Sequence, residues 1–104
     1  MRVTYPTAIV LLAVSRGFRY GFDIMDATQL PSGTVYPILG RLERDGYVRS
    51  RWEAQTVAAR DKRPPRRYYE VTAAGAKALA RSAAHYQTLG GHAALAALRP
   101  PDRK

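Results

Sequence analysis

The sequence predicts a mainly α fold with one small β-hairpin, and three patterns carry that prediction. Residues 32–45 place Val35, Ile38, Leu39 and Leu42 at i, i+3, i+4 and i+7, which is one face of a helix. Residues 47–53 alternate, with Val48, Ser50 and Trp52 on one side and Arg49, Arg51 and Glu53 on the other; residues 67–71 alternate again through Tyr69 and Val71. A period of two is that of a half-exposed strand. Elsewhere the apolar residues recur at helical spacing, so the order is helix, helix, helix, hairpin, helix, with no internal repeat.

The first helix covers residues 3–15. Thr4 is its expected N-cap and Pro6 suits its first turn. Val3, Ala8, Ile9, Leu11, Leu12 and Val14 occupy most of its circumference, the mark of a core or interface helix. Gly17 ends it, and Phe18-Arg19-Tyr20 forms a short extended link. The second helix covers residues 22–28, with Phe22, Ile24, Met25 and Leu30 expected inward and Asp23 and Asp26 outward. Asp23 suits the positive end of the helix dipole, and Pro31 stops the helix. The third helix takes Ser32 as N-cap, and Gly46 stands where a left-handed C-cap belongs. Pro37 is expected within or next to the first turn, where backbone N–H groups lack partners.

In the hairpin, Trp52 is expected in the core. Residues 54–65 form a charged, proline-ended loop, longer than the usual hairpin connection of about 2–5 residues, which marks function or disorder. Thr72 caps a last helix that runs to about Leu89, alanine-rich with a sparse stripe of Leu79, Ala83, Tyr86 and Leu89. Gly90-Gly91 interrupts it, residues 93–98 resume one or two turns, and Pro100-Pro101 opens a frayed tail.

A length of 104 residues is that of one domain, and a 46% apolar fraction supplies its core. The absence of cysteine excludes a disulfide scaffold, a cysteine-ligated zinc, an iron–sulfur cluster and a thiol nucleophile, and fits a cytosolic chain. The longest apolar run, Ala8 to Val14, is far short of a membrane span. A signal peptide using Arg2 and a cleavage site at Ala13-Val14-Ser15 is rejected, because cleavage would delete the first helix. His85 and His92 lack a nearby carboxylate and are read as surface or dimer-interface residues rather than metal ligands or an acid–base pair. Asp23 and Asp26 are helix-start charges rather than a catalytic pair, and Gly33 and Gly40 make no phosphate loop. No catalytic residue, metal or cofactor is expected, and the chain is not read as an enzyme.

The charge is more informative. Seventeen basic residues stand against eight acidic, a net +9, and fourteen of the basics are arginine. A small domain so basic attracts polyanions, and arginine's planar fork favours phosphates and guanine edges over a membrane surface. The second and third helices, joined by Leu30-Pro31, make a helix-turn-helix. The outward face of the third is Gly33, Thr34, Tyr36, Pro37, Gly40, Arg41 and Arg44. Small residues let a helix enter the major groove; Thr34 and Arg41 can read base edges, and the Tyr36 hydroxyl can reach a phosphate. From Arg49 to Arg67, seven basic residues face two acidic ones. A basic hairpin directly after a helix-turn-helix is a wing that grips the DNA backbone beside the recognition helix.

The runs Gly21-Phe22-Asp23-Ile24, Leu30-Pro31-Ser32-Gly33-Thr34-Val35-Tyr36-Pro37-Ile38-Leu39, Arg41-Leu42-Glu43-Arg44-Asp45-Gly46-Tyr47-Val48 and Arg66-Arg67-Tyr68-Tyr69-Glu70-Val71-Thr72-Ala73-Ala74-Gly75 resemble the PadR family of winged-helix transcriptional regulators. The resemblance spans about residues 5–89. It implies a winged helix-turn-helix over residues 1–72 (wing about 47–71), a C-terminal dimerisation helix over 73–99 and a tail over 100–104. It further implies a bacterial, cytoplasmic, nucleoid-associated homodimeric repressor on a near-palindromic operator. Ser32, Gly33, Thr34, Tyr36, Pro37, Arg41 and Arg44 would contact double-stranded DNA, with Arg60, Lys62, Arg63 and Arg66 holding phosphates from the wing. Ile9 and Leu12 of one subunit would meet Leu79, Tyr86 and Leu89 of the other, because a three-helix core covers only one side of the first helix. Some family members hold flat hydrophobic effectors between subunits; Tyr86 and Leu89, rather than Trp52, are the lining candidates. The sequence departs from the family in its long wing loop, with Val57-Ala58-Ala59 at the middle, and in the break at Gly90-Gly91. Two other readings of the basic face stay open: an RNA-binding or ribosome-associated winged helix, and a ligand-sensing or protein-interaction module without DNA binding.

Overall fold

The computed structural model describes residues 3–86, with side chains through 82. Its elements are α1 (Tyr5–Ser15), α2 (Gly21–Thr28), α3 (Ser32–Arg44), β1 (Val48–Trp52), α4 (Gln55–Arg60), β2 (Arg67–Val71) and α5 (Ala73–Tyr86). The mainly α fold with one hairpin is therefore as expected. The expectations for Leu89, His92, Gly90-Gly91 and residues 93–104 lie outside the described residues, as do those for the side chains of Ala83, His85 and Tyr86.

Residues Thr7 to Val14 of α1 are buried without interruption. The helix starts two residues later than expected. Thr4 holds the N-cap position, but its hydroxyl pairs with the Thr7 hydroxyl (3.0 Å) rather than with a backbone N–H. Gly17, at φ 95°, turns the chain: the Gly17 N–H donates to the Val14 carbonyl and the Phe18 N–H to the Ala13 carbonyl, both at 3.1 Å. This pair of hydrogen bonds satisfies carbonyls a helix end would leave open, and the following apolar residue, Phe18, is tucked into the core. The extended link then pairs with the hairpin: Tyr20 forms an isolated antiparallel bridge with Tyr68, and the Tyr69 N–H donates to the Arg19 carbonyl (2.9 Å).

On α2 the structure reverses two expected orientations. Phe22 is 73% exposed and Asp23 is buried, while Ile24 is fully buried as expected. Positions two apart on a helix differ by about 200°, so with Ile24 at the centre of the core face Phe22 must point away from it. Helix α3 behaves as its periodicity requires, with Val35, Ile38, Leu39 and Leu42 buried. Its N-cap is Pro31 rather than Ser32; the Pro31 carbonyl accepts from the N–H groups of Thr34 (2.9 Å) and Val35 (3.0 Å). Pro37 therefore lies inside the helix, beyond the first turn, and denies the Gly33 carbonyl its intrahelical donor. Gly46, at φ 80°, closes α3 as Gly17 closes α1, with Tyr47 N–H donating to the Leu42 carbonyl (2.8 Å).

The hairpin pairs β1 with β2 antiparallel, from Val48↔Val71 to Trp52↔Arg67. Trp52 is 66% exposed, not in the core. The expected loop contains α4, a six-residue helix whose Ala58 is buried. It ends as α1 and α3 do, with Lys62 (φ 56°) taking the left-handed position that glycine fills there.

Thr72 caps α5 as expected: its hydroxyl donates to the Gly46 carbonyl (2.6 Å) and accepts from the Gly75 N–H (3.1 Å). Helix α5 packs on α1 of the same chain, and Leu79, with Tyr5 and Ala27, covers Ile9 and Leu12. Ile9 and Leu12, expected to meet a partner subunit, are covered here by Leu79 of the same chain. The junction is tight, since a methyl group at Gly75 would collide with the Tyr47 carbonyl oxygen.

Gly75→Ala is accordingly expected to destabilise the fold by about 1–3 kcal/mol, although alanine is the better helix former. Gly33→Ala, where the added methyl meets nothing, should not destabilise. Urea unfolding of the two variants checks the contrast.

Candidate nucleic-acid interface

The packing of α3 leaves a continuous outward face. Ser32, Gly33, Tyr36, Pro37, Gly40, Arg41 and Arg44 are exposed, and Thr34 is half-buried. A methyl group on Gly33 or Gly40 would meet no neighbouring atom. Neither glycine is needed to fit the fold, and a glycine inside a helix costs about 1 kcal/mol relative to alanine. Gly21 is different: a methyl there would collide with the Tyr36 ring, so Tyr36 rests on the start of α2. Beside it lies a cleft of about 460 Å³ between α2, α3 and β2, lined by Tyr20, Phe22, Tyr36, Arg66, Arg67 and Tyr69 among others.

The wing is organised by one carboxylate. Glu53, whose side chain is 8% exposed, accepts from both terminal nitrogens of Arg63, from the Arg66 N–H (3.0 Å) and Nη2 (3.4 Å), and from the Tyr20 hydroxyl (3.1 Å). The Arg66 guanidinium also stacks on Tyr20, 4.0 Å from the ring centre. The paired Arg63 guanidinium, foremost, holds the Glu53 carboxyl well below the usual carboxylate range. Glu53 in turn raises Arg63 above the ordinary arginine value, and burial, followed by the bond to Glu53, pushes the Tyr20 phenol up.

Arg63 and Arg66, expected to hold phosphates, are thus drawn inward to Glu53, while Arg60 and Lys62 are exposed at the end of α4. Arg49 and Arg51 both reach Glu70 (3.5 and 2.9 Å). Arg67 ties the wing to α3, its Nη2 donating to Glu43 (3.2 Å) and to Ser50 Oγ (2.7 Å). Of the expected DNA contacts, the structure brings the α3 residues onto one face. It does not bring Arg63 and Arg66 to a common exposed surface with Arg60 and Lys62. Sequence reasoning missed Glu53, Tyr20 and Arg67; an isolated acid inside a basic run was the available signal for Glu53.

A helix-turn-helix with a glycine-bearing outward face, followed by a basic two-stranded wing, defines a winged-helix DNA-binding regulator. The chain belongs to the PadR-like transcriptional regulator family, whose sequence profile matches residues 10–81. The members of that family are transcriptional regulators rather than enzymes. Solved structures with the same fold include a PadR-like transcription factor of Bacteroides fragilis, 26% identical with a TM-score of 0.66 over 84% of each chain. A protein of Streptococcus mutans is 26% identical with a TM-score of 0.68, covering 86% of this chain and 84% of that one. A PadR family regulator of Clostridium difficile superposes with a TM-score of 0.70 at 20% identity, over 83% and 91%. No curated protein matches the sequence. Among the described residues, no helix is long and apolar enough to cross a membrane.

The Glu53 cluster has a pH signature. A carboxyl whose folded value lies below its unfolded value of about 4.3 contributes stability that is complete above that value. It is lost as pH falls through it toward the folded value. Glu53→Gln should therefore lower the thermal midpoint at pH 7, and the gap to the unsubstituted protein should narrow steadily as pH falls below about 4. Calorimetry across that range checks it; a constant gap would contradict it.

Proposed function

We propose that the chain is a homodimeric repressor that reads a near-palindromic duplex operator through the outward face of α3. In this reading Thr34 and Arg41 meet base edges, Ser32, Tyr36 and Arg44 contact the backbone, and Arg60 and Lys62 hold flanking phosphates. Residues 1–72 bind DNA and 73–99 join the subunits, in a cytoplasmic, nucleoid-bound protein. The observation that carries the reading is the pair of glycines, Gly33 and Gly40, on an exposed helix face where no described residue comes within 4 Å of an added methyl group. Their cost to the helix is explained if a second surface must come as close as a major-groove floor does. With α1 covered by its own chain, the subunit contact falls to residues beyond Leu79, including Tyr86 and Leu89. A hydrophobic effector would bind between subunits there.

The test separates stability from binding. Gly40→Ala should stabilise the fold by up to about 1 kcal/mol and yet weaken operator binding, as a methyl group spoils the close approach. Arg41→Ala and Thr34→Ala should each remove about 1–3 kcal/mol of discrimination between base pairs, with much smaller effects on random duplex. Fluorescence anisotropy with duplex DNA and with a structured RNA of equal length measures all three. Tighter binding to the RNA, or a Gly40→Ala variant that binds as well as the parent, would contradict the proposal.

A further inference from the structure

Trp52 is the chain's only tryptophan and is 66% exposed at the far end of β1. An aromatic of this size buries about 150–250 Å² when covered, so leaving it in water forgoes a large apolar gain. Its position is not arbitrary. By strand alternation it shares the hairpin face of Val48, which is buried, and of Ser50, whose hydroxyl donates to Glu43 of α3. Trp52 lies two residues, about 7 Å, further along that same face, where it is exposed. Its register partner is Arg67, whose guanidinium carbon is 6.0 Å from the ring centre and which is tethered to Glu43 and Ser50. Arg67 in turn lines the cleft beside Tyr36. Tyr36, Arg67 and Trp52 therefore form a strip of aromatic, cation and aromatic that runs from the exposed face of α3 onto the wing.

We propose that Trp52 is a DNA-contact residue whose ring lies against the deoxyribose edge of the duplex strand flanking the groove that α3 enters. This rests on the duplex-DNA reading above. Charge selects the occupant. Even with Glu70 counted, residues 47–71 carry seven basic side chains against three acidic, and Arg60 and Lys62 stand exposed, so a second copy of the same wing would be repelled, whereas an anionic polymer brings sugar edges and phosphates to the strip together. The contact reads no hydrogen-bond pattern and neutralises no phosphate. It adds affinity that is the same for every sequence and leaves the salt dependence unchanged, unlike a lysine or arginine contact.

The single tryptophan makes the full chain its own reporter. The probe is a mixed-sequence duplex of roughly 24 base pairs, a little over two turns, at low salt. Binding is followed by anisotropy of a labelled duplex, and Trp52 emission and acrylamide quenching are followed with the unlabelled one. As the duplex saturates, emission should change and acrylamide access should fall. W52A should bind about tenfold more weakly, equally for mixed and selected duplexes and with the same slope of log K against log salt; W52F should recover most of the loss. Saturation with unaltered acrylamide access, and W52A binding like the parent, would overturn the proposal. So would shielding that appears on raising protein concentration alone, which would place Trp52 between copies of the chain. Absence of any anisotropy change would be the separate failure of the DNA reading itself, and the Trp52 contact would fall with it.

Discussion

A helix with no polar face must be covered on every side, and α1 imposes that requirement on the whole chain. Thr7 to Val14 are buried as an unbroken run, so no side of the helix is left to water. Helices α2 and α3, strand β2 and helix α5 all pack against it. A fully buried aliphatic side chain contributes about 1.5–3 kcal/mol, and α1 places Ile9, Val10, Leu11, Leu12 and Val14 in the interior. The arrangement has a consequence for function. Helix α3 is one layer of the cover and can commit only the face bearing Val35, Ile38, Leu39 and Leu42. Its opposite face is left outward, rigidly backed, with no obligation to the core.

The wing is anchored by burial of Val48, Tyr69 and Ala58, and its outer parts are tied together by charge. Arg67 joins β2 to the end of α3 through Glu43, and Glu53 draws α4 and the segment after it onto the hairpin and Tyr20. The same bonds change the meaning of the basic run. Counting charges along the chain credits the wing with many phosphate grips, but arginines that share a carboxylate with several other donors are structural. The exposed positive charge moves to Arg60 and Lys62, which α4 and its left-handed end carry outward.

Much of this was legible in the sequence, for identifiable reasons. Helix α3 has enough turns for its period to fix its phase, Gly46 announces its end, and Thr72 begins α5 with a hydroxyl that finds both a donor and an acceptor. The short elements were harder. Eight residues of α2 leave the phase ambiguous between Phe22 and Asp23, and only the packing of Ile24 decides. Strand alternation predicts which face Trp52 occupies but not whether the core extends that far. Helix α4 ends on Lys62, which lacks the signature that glycine gives at Gly17 and Gly46. The closing of Ile9 and Leu12 by Leu79 is a long-range contact that no local pattern encodes. The clustering of Arg63, Arg66 and Tyr20 on Glu53 is invisible to spacing for the same reason.

On the proposed function, the face left outward by the packing around α1 reads duplex DNA as a two-fold pair. Selection of bound duplexes from a pool with a randomised centre of about 30 base pairs tests it directly, since two such faces sample half-sites about 10–10.5 base pairs apart or a multiple of that. An enriched, nearly two-fold symmetric motif with that spacing is expected. A pool that emerges with no enrichment, or with one unrepeated element, would contradict it.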